Sequence, residues 1–275
     1  MGLFGNYIRM LRIEDWIFGY FFIPIIGSIA AIGLSGSLIW TAFVSFCAIS
    51  FGFVINNYAD IEIDRCHSRK QKTNKNPLAS NAVSVNGTRV LMALLIALPL
   101  VVCFFLSLPA FFFTACTLVL LLAYSLRPIR SKERYIADIV THGMMFGTFP
   151  FLIGYTLLTP DITLLAIQPL ALCILFTIIG CLALIVHQMY DYAEDVKCSP
   201  TTIVRIGKRR GWLIFIVFFT LALVSLGMVC MLLNLSAIIL FGSLVLFVIP
   251  VYTLKDRMRT DYHELTKGDN PHPNM

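Results

Sequence analysis

Long uncharged stretches alternate with short charged ones along this chain. The uncharged runs fall near 15–34, 37–58, 88–107, 109–125, 138–158, 163–188, 212–233 and 235–253. Each approaches the twenty or so apolar residues that a helix needs to cross a hydrocarbon core. In lipid such a run must also satisfy its own backbone polar groups, which a helix does. The pattern therefore predicts an all-α polytopic membrane protein, a bundle of about eight transmembrane helices. Within 88–125 the division rests on Ser107-Leu108-Pro109 alone. Ahead of the first run, "MGLFGNYIRMLRIEDW" reads as a short amphipathic lead-in.

Composition strengthens this reading. The 275 residues are 58% hydrophobic and 13% charged, with mean hydropathy +0.83, which excludes an ordinary soluble domain. A cytoplasmic N-terminus puts Arg9, Arg12, the loops at 59–87, 126–137 and 189–211, and the tail from 254 on one side. All 21 Lys and Arg residues then lie in or beside those segments. The opposite connections ("GLSGS", "SLP", "TPDIT", "LNLS") carry only Asp161. This positive-inside asymmetry predicts that both termini are cytoplasmic. The net charge of +6 thus belongs to a face beside anionic headgroups and does not point to nucleic acid. Of the eight cysteines, six lie in apolar runs as soft packing residues. Cys66 and Cys198 fall in inside loops, where thiols stay reduced.

The chemistry concentrates at the ends of two runs. "INNYADIEIDR" (Ile55–Arg65) follows about twenty uncharged residues, and four-residue spacing puts Asn56, Asp60 and Asp64 in one helical row. After the sixth run, Asp191 and Asp195 repeat that spacing on the same side. Carboxylates so close repel unless a positive charge lies between them. Two such rows at one membrane depth offer hard oxygen ligands to divalent cations, and Mg²⁺ bridges readily to substrate phosphates. Nearby loops supply Arg65, Arg130, Lys132 and Lys197, which together with metal suit a diphosphate. The competing reading is a pair of solvated helix ends. Glu62 points away from the first row, and Glu194 away from the second.

These residues resemble the motifs of the UbiA superfamily of membrane prenyltransferases. The first is Asn56-Asn57-x-x-Asp60-x-x-x-Asp64-Arg65 and the second Asp191-x-x-x-Asp195. "NKNPLASNAVS" (Asn74–Ser84) and "YSLRPIRSK" (Tyr124–Lys132) resemble the runs that follow the family's second and fourth helices. Lys197, Thr201-Thr202 and Arg205-Ile206-Gly207 match the continuation of its second motif loosely. The resemblance implies a helix bundle, usually of nine helices, around an apolar chamber open near the cytoplasmic face. It also implies prenyl transfer from a polyprenyl diphosphate to a hydrophobic acceptor that the sequence does not identify. Asn56, Asp60, Asp64, Asp191 and Asp195 would bind two or more Mg²⁺ ions. Arg65, Arg130, Lys132 and Lys197 would neutralise the diphosphate, with Tyr124 beside it. Asp60, Asp64, Asp191, Asp195 and Lys132 would carry the catalysis.

Four departures stand out. Asn57 replaces the usual Asp. Asn76 stands where the family has Arg, with Lys75 one place earlier as the expected substitute. Asn81 replaces a Gly but tolerates a left-handed turn. Ser199-Pro200 replaces the Gly after the second motif.

The chain reads as one domain, 1–275, with pseudo-repeat halves at about 10–130 and 131–254 and a tail at 255–275. Its expected location is the plasma membrane, with the active-site loops cytoplasmic. The alternatives are a polytopic transporter and a non-catalytic isoprenoid-lipid-binding protein. Transporters usually carry ionisable groups near the midplane, whereas here Asp138, His142 and His187 lie only near span ends.

Overall fold

The computed structural model describes residues 2–66, 75–159 and 166–235. All regular structure among them is helical. The chain starts with α1 (Leu3–Met10) and α2 (Ile13–Trp16), and enters the bundle through α3 (Phe22–Ile32) and α4 (Leu38–Ala59). Short α5 (Ile61–Cys66) precedes the antiparallel pair α6 (Val85–Leu106) and α7 (Leu108–Ser125). Next come α8 (Ala137–Gly143), a π-helical turn at Met144–Thr148, and α9 (Phe149–Leu157). Then follow α10 (Ile167–Tyr190), α11 (Tyr192–Cys198), α12 (Thr202–Ile206) and α13 (Lys208–Leu232).

Five of these, α4, α6, α7, α10 and α13, are long and apolar enough to cross a membrane. Ser107 divides 88–125 where the sequence suggests. Its backbone is extended (φ −162°, ψ 115°), its hydroxyl accepts from the Ala110 N–H at 3.3 Å, and it donates to the Thr156 carbonyl at 2.7 Å. The predicted run 235–253 lies outside the described residues.

Two predicted runs are not single α-helices. In 15–34, a left-handed Arg12 (φ 51°) opens the four-residue α2, and α3 begins only at Phe22. In 138–158, the π turn interrupts the helix because Gly143 and Gly147 press against α10. A Cβ on Gly147 would meet the Phe176 backbone, and one on Gly143 would meet Thr177 and Cys181. Such close backbone approach through small residues is how helices associate where lipid supplies no hydrophobic drive. The contact of α3 with α9 uses the same device: a Cβ on Gly27 would meet the Phe151 carbonyl and one on Gly154 the Pro24 carbonyl, and Ser28 Oγ donates to the Gly154 carbonyl at 2.7 Å.

Helix α4 is central and α6 peripheral, since 61% of the first is buried against 17% of the second over their most apolar windows. The interior around α4 includes Phe51, Val54, Leu118, Leu121, Met145 and Phe146. Exposed Val101, Phe105, Ile216 and Val224 form an apolar outer surface suited to lipid.

Candidate active site

The first acidic row survives a break in its helix. Helix α4 ends at Ala59, and Asp60 leaves helical geometry at φ −104°, ψ 15°. Its N–H still bonds the Asn56 carbonyl at 3.0 Å, and the Asp64 N–H bonds the Asp60 carbonyl at 2.7 Å. The second row repeats this. Asp191 follows α10 at φ −96°, ψ 9°, with Asp191 N–H to His187 carbonyl at 3.0 Å and Asp195 N–H to Asp191 carbonyl at 2.9 Å. In each row the first Asp closes a long helix and opens a short one.

Two cations close on Asp60. Arg130 Nη2 donates to Oδ1 at 2.8 Å, and Lys132 Nζ to Oδ2 at 2.5 Å. The same Nζ donates to Asn56 Oδ1 at 2.8 Å. Asp60 is only 6% exposed. Burial raises its carboxyl pKa, but the charges and hydrogen bonds of Lys132 and Arg130 outweigh that and hold it below its ordinary range. Arg130 also donates to Glu133 Oε1 at 2.5 Å and to the Ser125 carbonyl at 2.9 Å. Burial lowers the Arg130 pKa, and Glu133 and Asp60 raise it further than burial lowers it.

The connection after α7 is shaped for this. Arg130 is left-handed (φ 40°) and leads into a 3₁₀ turn at Ser131–Glu133. A non-glycine residue there costs on the order of 1–3 kcal/mol, offset here by the two ion pairs. Ser131 Oγ within that turn is buried and has no hydrogen-bond partner among the described residues.

Asp64 is 3% exposed and accepts from Asn76 Nδ2 at 2.8 Å, while Asn76 also donates to the Asn57 carbonyl at 2.8 Å. Asn76 therefore binds the row from the position where the resembling family has Arg. Lys75, the expected substitute, instead pairs with Asp15 at 3.0 Å. Arg65 is not joined to Asp60 either. It bonds Glu62 at 3.1 Å, the Ala79 carbonyl at 3.2 Å and Asn81 Oδ1 at 3.4 Å, tying the following loop to α5. Asn81 is left-handed (φ 58°), as its position requires. Glu62 faces outward to Arg65 and away from the cluster.

In the second row, His187 Nε2 lies 3.6 Å from Asp191 Oδ2. The side chains of Glu194 and Lys197 lie outside the described residues. Tyr124, in α7, has its ring 6.2 Å from that of His142.

Sequence reasoning missed Asp138 as a hub. It is fully buried. Oδ1 accepts from the Ile139 N–H at 2.8 Å and Thr202 Oγ1 at 2.5 Å, and Oδ2 accepts from Gln188 Nε2 at 2.7 Å and the Thr202 N–H at 2.9 Å. An acid at the mouth of an apolar run was the available signal. Arg12 was also missed; its guanidinium sits 5.1 Å above the Phe53 ring.

The profile of the UbiA prenyltransferase family matches residues 20–265. This chain belongs to that family. Solved UbiA homologues have the same fold. One from Archaeoglobus fulgidus, bound to GPP and Mg²⁺, is 18% identical with a TM-score of 0.71, covering 98% of this chain and 90% of that one. A UbiA homologue from Aeropyrum pernix K1 gives 15% identity and a TM-score of 0.69, covering 93% and 89%. A structure described for digeranylgeranylglyceryl phosphate synthase in membranes gives 19% and 0.67, covering 94% and 88%. No curated protein matches the chain by sequence. UbiA membership agrees with the all-α membrane bundle read from hydropathy, and makes this an integral membrane protein of a prenyltransferase family.

Proposed function

We propose that this protein transfers a prenyl group from a polyprenyl diphosphate to an apolar, aromatic or lipid acceptor, with Mg²⁺, by allylic ionisation. The observation that carries the reading is Lys132 and Arg130 closed on Asp60, in a row whose local geometry the Asp191–Asp195 row repeats. The family supports prenyl transfer, and a homologue bound to GPP and Mg²⁺ supports the donor class.

The residues fit Mg²⁺. Asn56, Asp60, Asp64, Asp191 and Asp195 are hard oxygen donors. Among the described residues no three His, Cys, Asp or Glu side chains converge to enclose an ion by themselves. A Mg²⁺ ion held by these donors would complete its shell with waters and substrate phosphate. When bound with the diphosphate, Mg²⁺ supplies charge neutralisation of the leaving group.

The chain's own residues supply the rest. Lys132 and Arg130 keep Asp60 ionised and stand where the diphosphate meets positive charge; the family pattern assigns Lys197 the same task from the second row. The allylic C–O bond breaks and its electron pair leaves on the diphosphate oxygen, where these fixed cations stabilise the growing charge. The Tyr124 ring, which the family pattern puts beside the diphosphate, offers an aromatic face suited to a developing allyl cation. The acceptor nucleophile then bonds to that carbon and releases a proton. The one-sided basic loops support a cytoplasmic site in the cell membrane, and the matching turns at Asp60 and Asp191 support two related halves.

The test is release of diphosphate from an allylic diphosphate by the purified protein in detergent. Release should require Mg²⁺, stop with chelator and resume on adding Mg²⁺ back. No Mg²⁺-dependent release from any allylic donor contradicts the reading.

A further inference from the structure

Helix α1 is amphipathic, and the protein covers only part of its apolar face. At about 3.6 residues per turn, Met10, Tyr7, Phe4 and Ile8 follow one another across an arc of roughly 160°, with Gly5 and Arg9 opposite. Met10 is fully buried, and Tyr7 packs against the core around α4. Phe4 and Ile8, at the other edge of the arc, are 78% and 44% exposed, and Leu3 at the helix start is exposed as well. An uncovered apolar edge on a helix with a polar opposite face suits the plane of a lipid surface.

The seat of α1 sets its depth. Tyr7 Oη lies 3.4 Å from Ser84 Oγ, and Ser84 caps the first turn of α6 by accepting from the Gly87 N–H at 3.0 Å. A Cβ on Gly87 would strike the Tyr7 hydroxyl, so glycine leaves the gap in which that hydroxyl rests. Val90, three residues on, lies roughly 4.5 Å further along the axis. It begins a stripe of exposed apolar residues, Val90, Leu94, Val101 and Phe105, that runs along α6. The surface suited to lipid thus starts about one turn from α1. An interfacial helix sinks its apolar edge about 5–10 Å into the headgroup–acyl boundary, and this seat puts α1 at that level.

The same helix is tied to the first acidic row. Asn6 Nδ2 donates to the Ala82 carbonyl at 3.4 Å, and Asn57 Nδ2 donates to the Met10 carbonyl at 3.4 Å. The Asn57 carbonyl in turn accepts from Asn76, whose amide also holds Asp64. An ionised Asp at position 57 would offer the Met10 carbonyl no donor, so the Asn found there matches the presence of α1. We infer that α1 lies in the bilayer interface on the side of the acidic rows, with Phe4 and Ile8 in lipid, and that this seating steadies the segment 76–84 against the first row. The occupant of the exposed edge is phospholipid, because that edge adjoins the lipid-facing stripe of α6.

The experiment uses the full chain in nanodiscs of phosphatidylcholine and phosphatidylglycerol. Photoreactive p-benzoylphenylalanine replaces Phe4, Ile8 or, as a lipid-facing reference, Phe105. Illumination should give phospholipid adducts at both α1 positions as at Phe105, read from peptide masses. In Phe4→Ser/Ile8→Ser, amide hydrogen exchange should be severalfold faster at Leu78, Ala79 and Ala82, whose N–H groups are bonded within the 76–84 segment. Adducts at Phe105 with none at Phe4 or Ile8 would put the edge in water and overturn the inference. Crosslinks between two protein chains in place of lipid adducts would assign the edge to a second copy and overturn it as well. Unchanged exchange at the three amides would overturn the tie to the first row. None of these readouts is turnover, so prenyl transfer stands or falls separately.

Discussion

Asp60 and Asp191 end their helices in one backbone conformation, at φ −104°, ψ 15° and φ −96°, ψ 9°. Each passes its carbonyl to the N–H of an Asp four residues on. The parallel predicts parallel roles. Asp60→Asn and Asp191→Asn should each lower turnover on the order of a hundredfold or more, since each removes an anionic ligand for the Mg²⁺ that would neutralise the leaving group. Glu62→Gln should keep most activity, because Glu62 faces Arg65 outside the cluster. Equal losses across the three variants, read as diphosphate release, would contradict this separation.

Lys132 joins Asn56 and Asp60 through one ammonium. Lys132→Met leaves Asp60 with Arg130 as its one cation among the described residues, in a buried site. Breaking a buried pair typically costs about 3–5 kcal/mol, so thermal unfolding in detergent should shift down and turnover should fall steeply. Arg at this position should restore charge and not rate, because a planar fork does not reproduce a point contact to two acceptors. Full activity in Lys132→Arg would show that charge alone suffices.

The two rows were legible because four-residue spacing is a local property, and their i to i+4 hydrogen bonds persist through the breaks. Ser107 was legible for the same reason, as a cap followed by Pro109. The π turn was not, because it follows from Gly143 and Gly147 meeting α10, a contact between segments distant in sequence. Nor was the part played by Asn76. Substituting Lys75 for the family's Arg preserves charge along the chain, but the loop sends Lys75 to Asp15 and turns Asn76 inward to Asp64. Arg65 reads as a site cation by proximity in sequence, yet α5 turns it toward Glu62 and Asn81.

Asp138 binds α8 to α10 and α12 through Gln188 and Thr202. Asp138→Asn puts an NH₂ where only donors point, whichever way the amide turns. One such clash leaves buried groups unpaired at about 1–3 kcal/mol each. Thermal unfolding in detergent should fall by several degrees, and an unshifted midpoint would show that the hub is dispensable.

Asp15 sits between Arg12 at 2.5 Å and Lys75 at 3.0 Å. Burial raises its carboxyl pKa, and Arg12 and Lys75 together more than reverse this, leaving it below the ordinary 3.8. A depressed folded-state value adds stability that is fully present above that ordinary value and is lost as pH falls through the folded one. Asp15→Asn should therefore be less stable than the unsubstituted protein at neutral pH, with the gap closing in strong acid. A gap that stayed constant as pH fell well below 3.8 would contradict the assignment.

We propose that the two acidic rows hold one metal–diphosphate unit. Mn²⁺ can stand in for Mg²⁺ and is visible by electron paramagnetic resonance, here with geranyl S-thiolodiphosphate as a slowly reacting donor. A bound Mn²⁺ signal should depend on the thiolodiphosphate and be lost both in Asp60→Asn/Asp64→Asn and in Asp191→Asn/Asp195→Asn. A full bound signal in the Asp191/Asp195 double variant would contradict it, and would leave the second row as a solvated helix end.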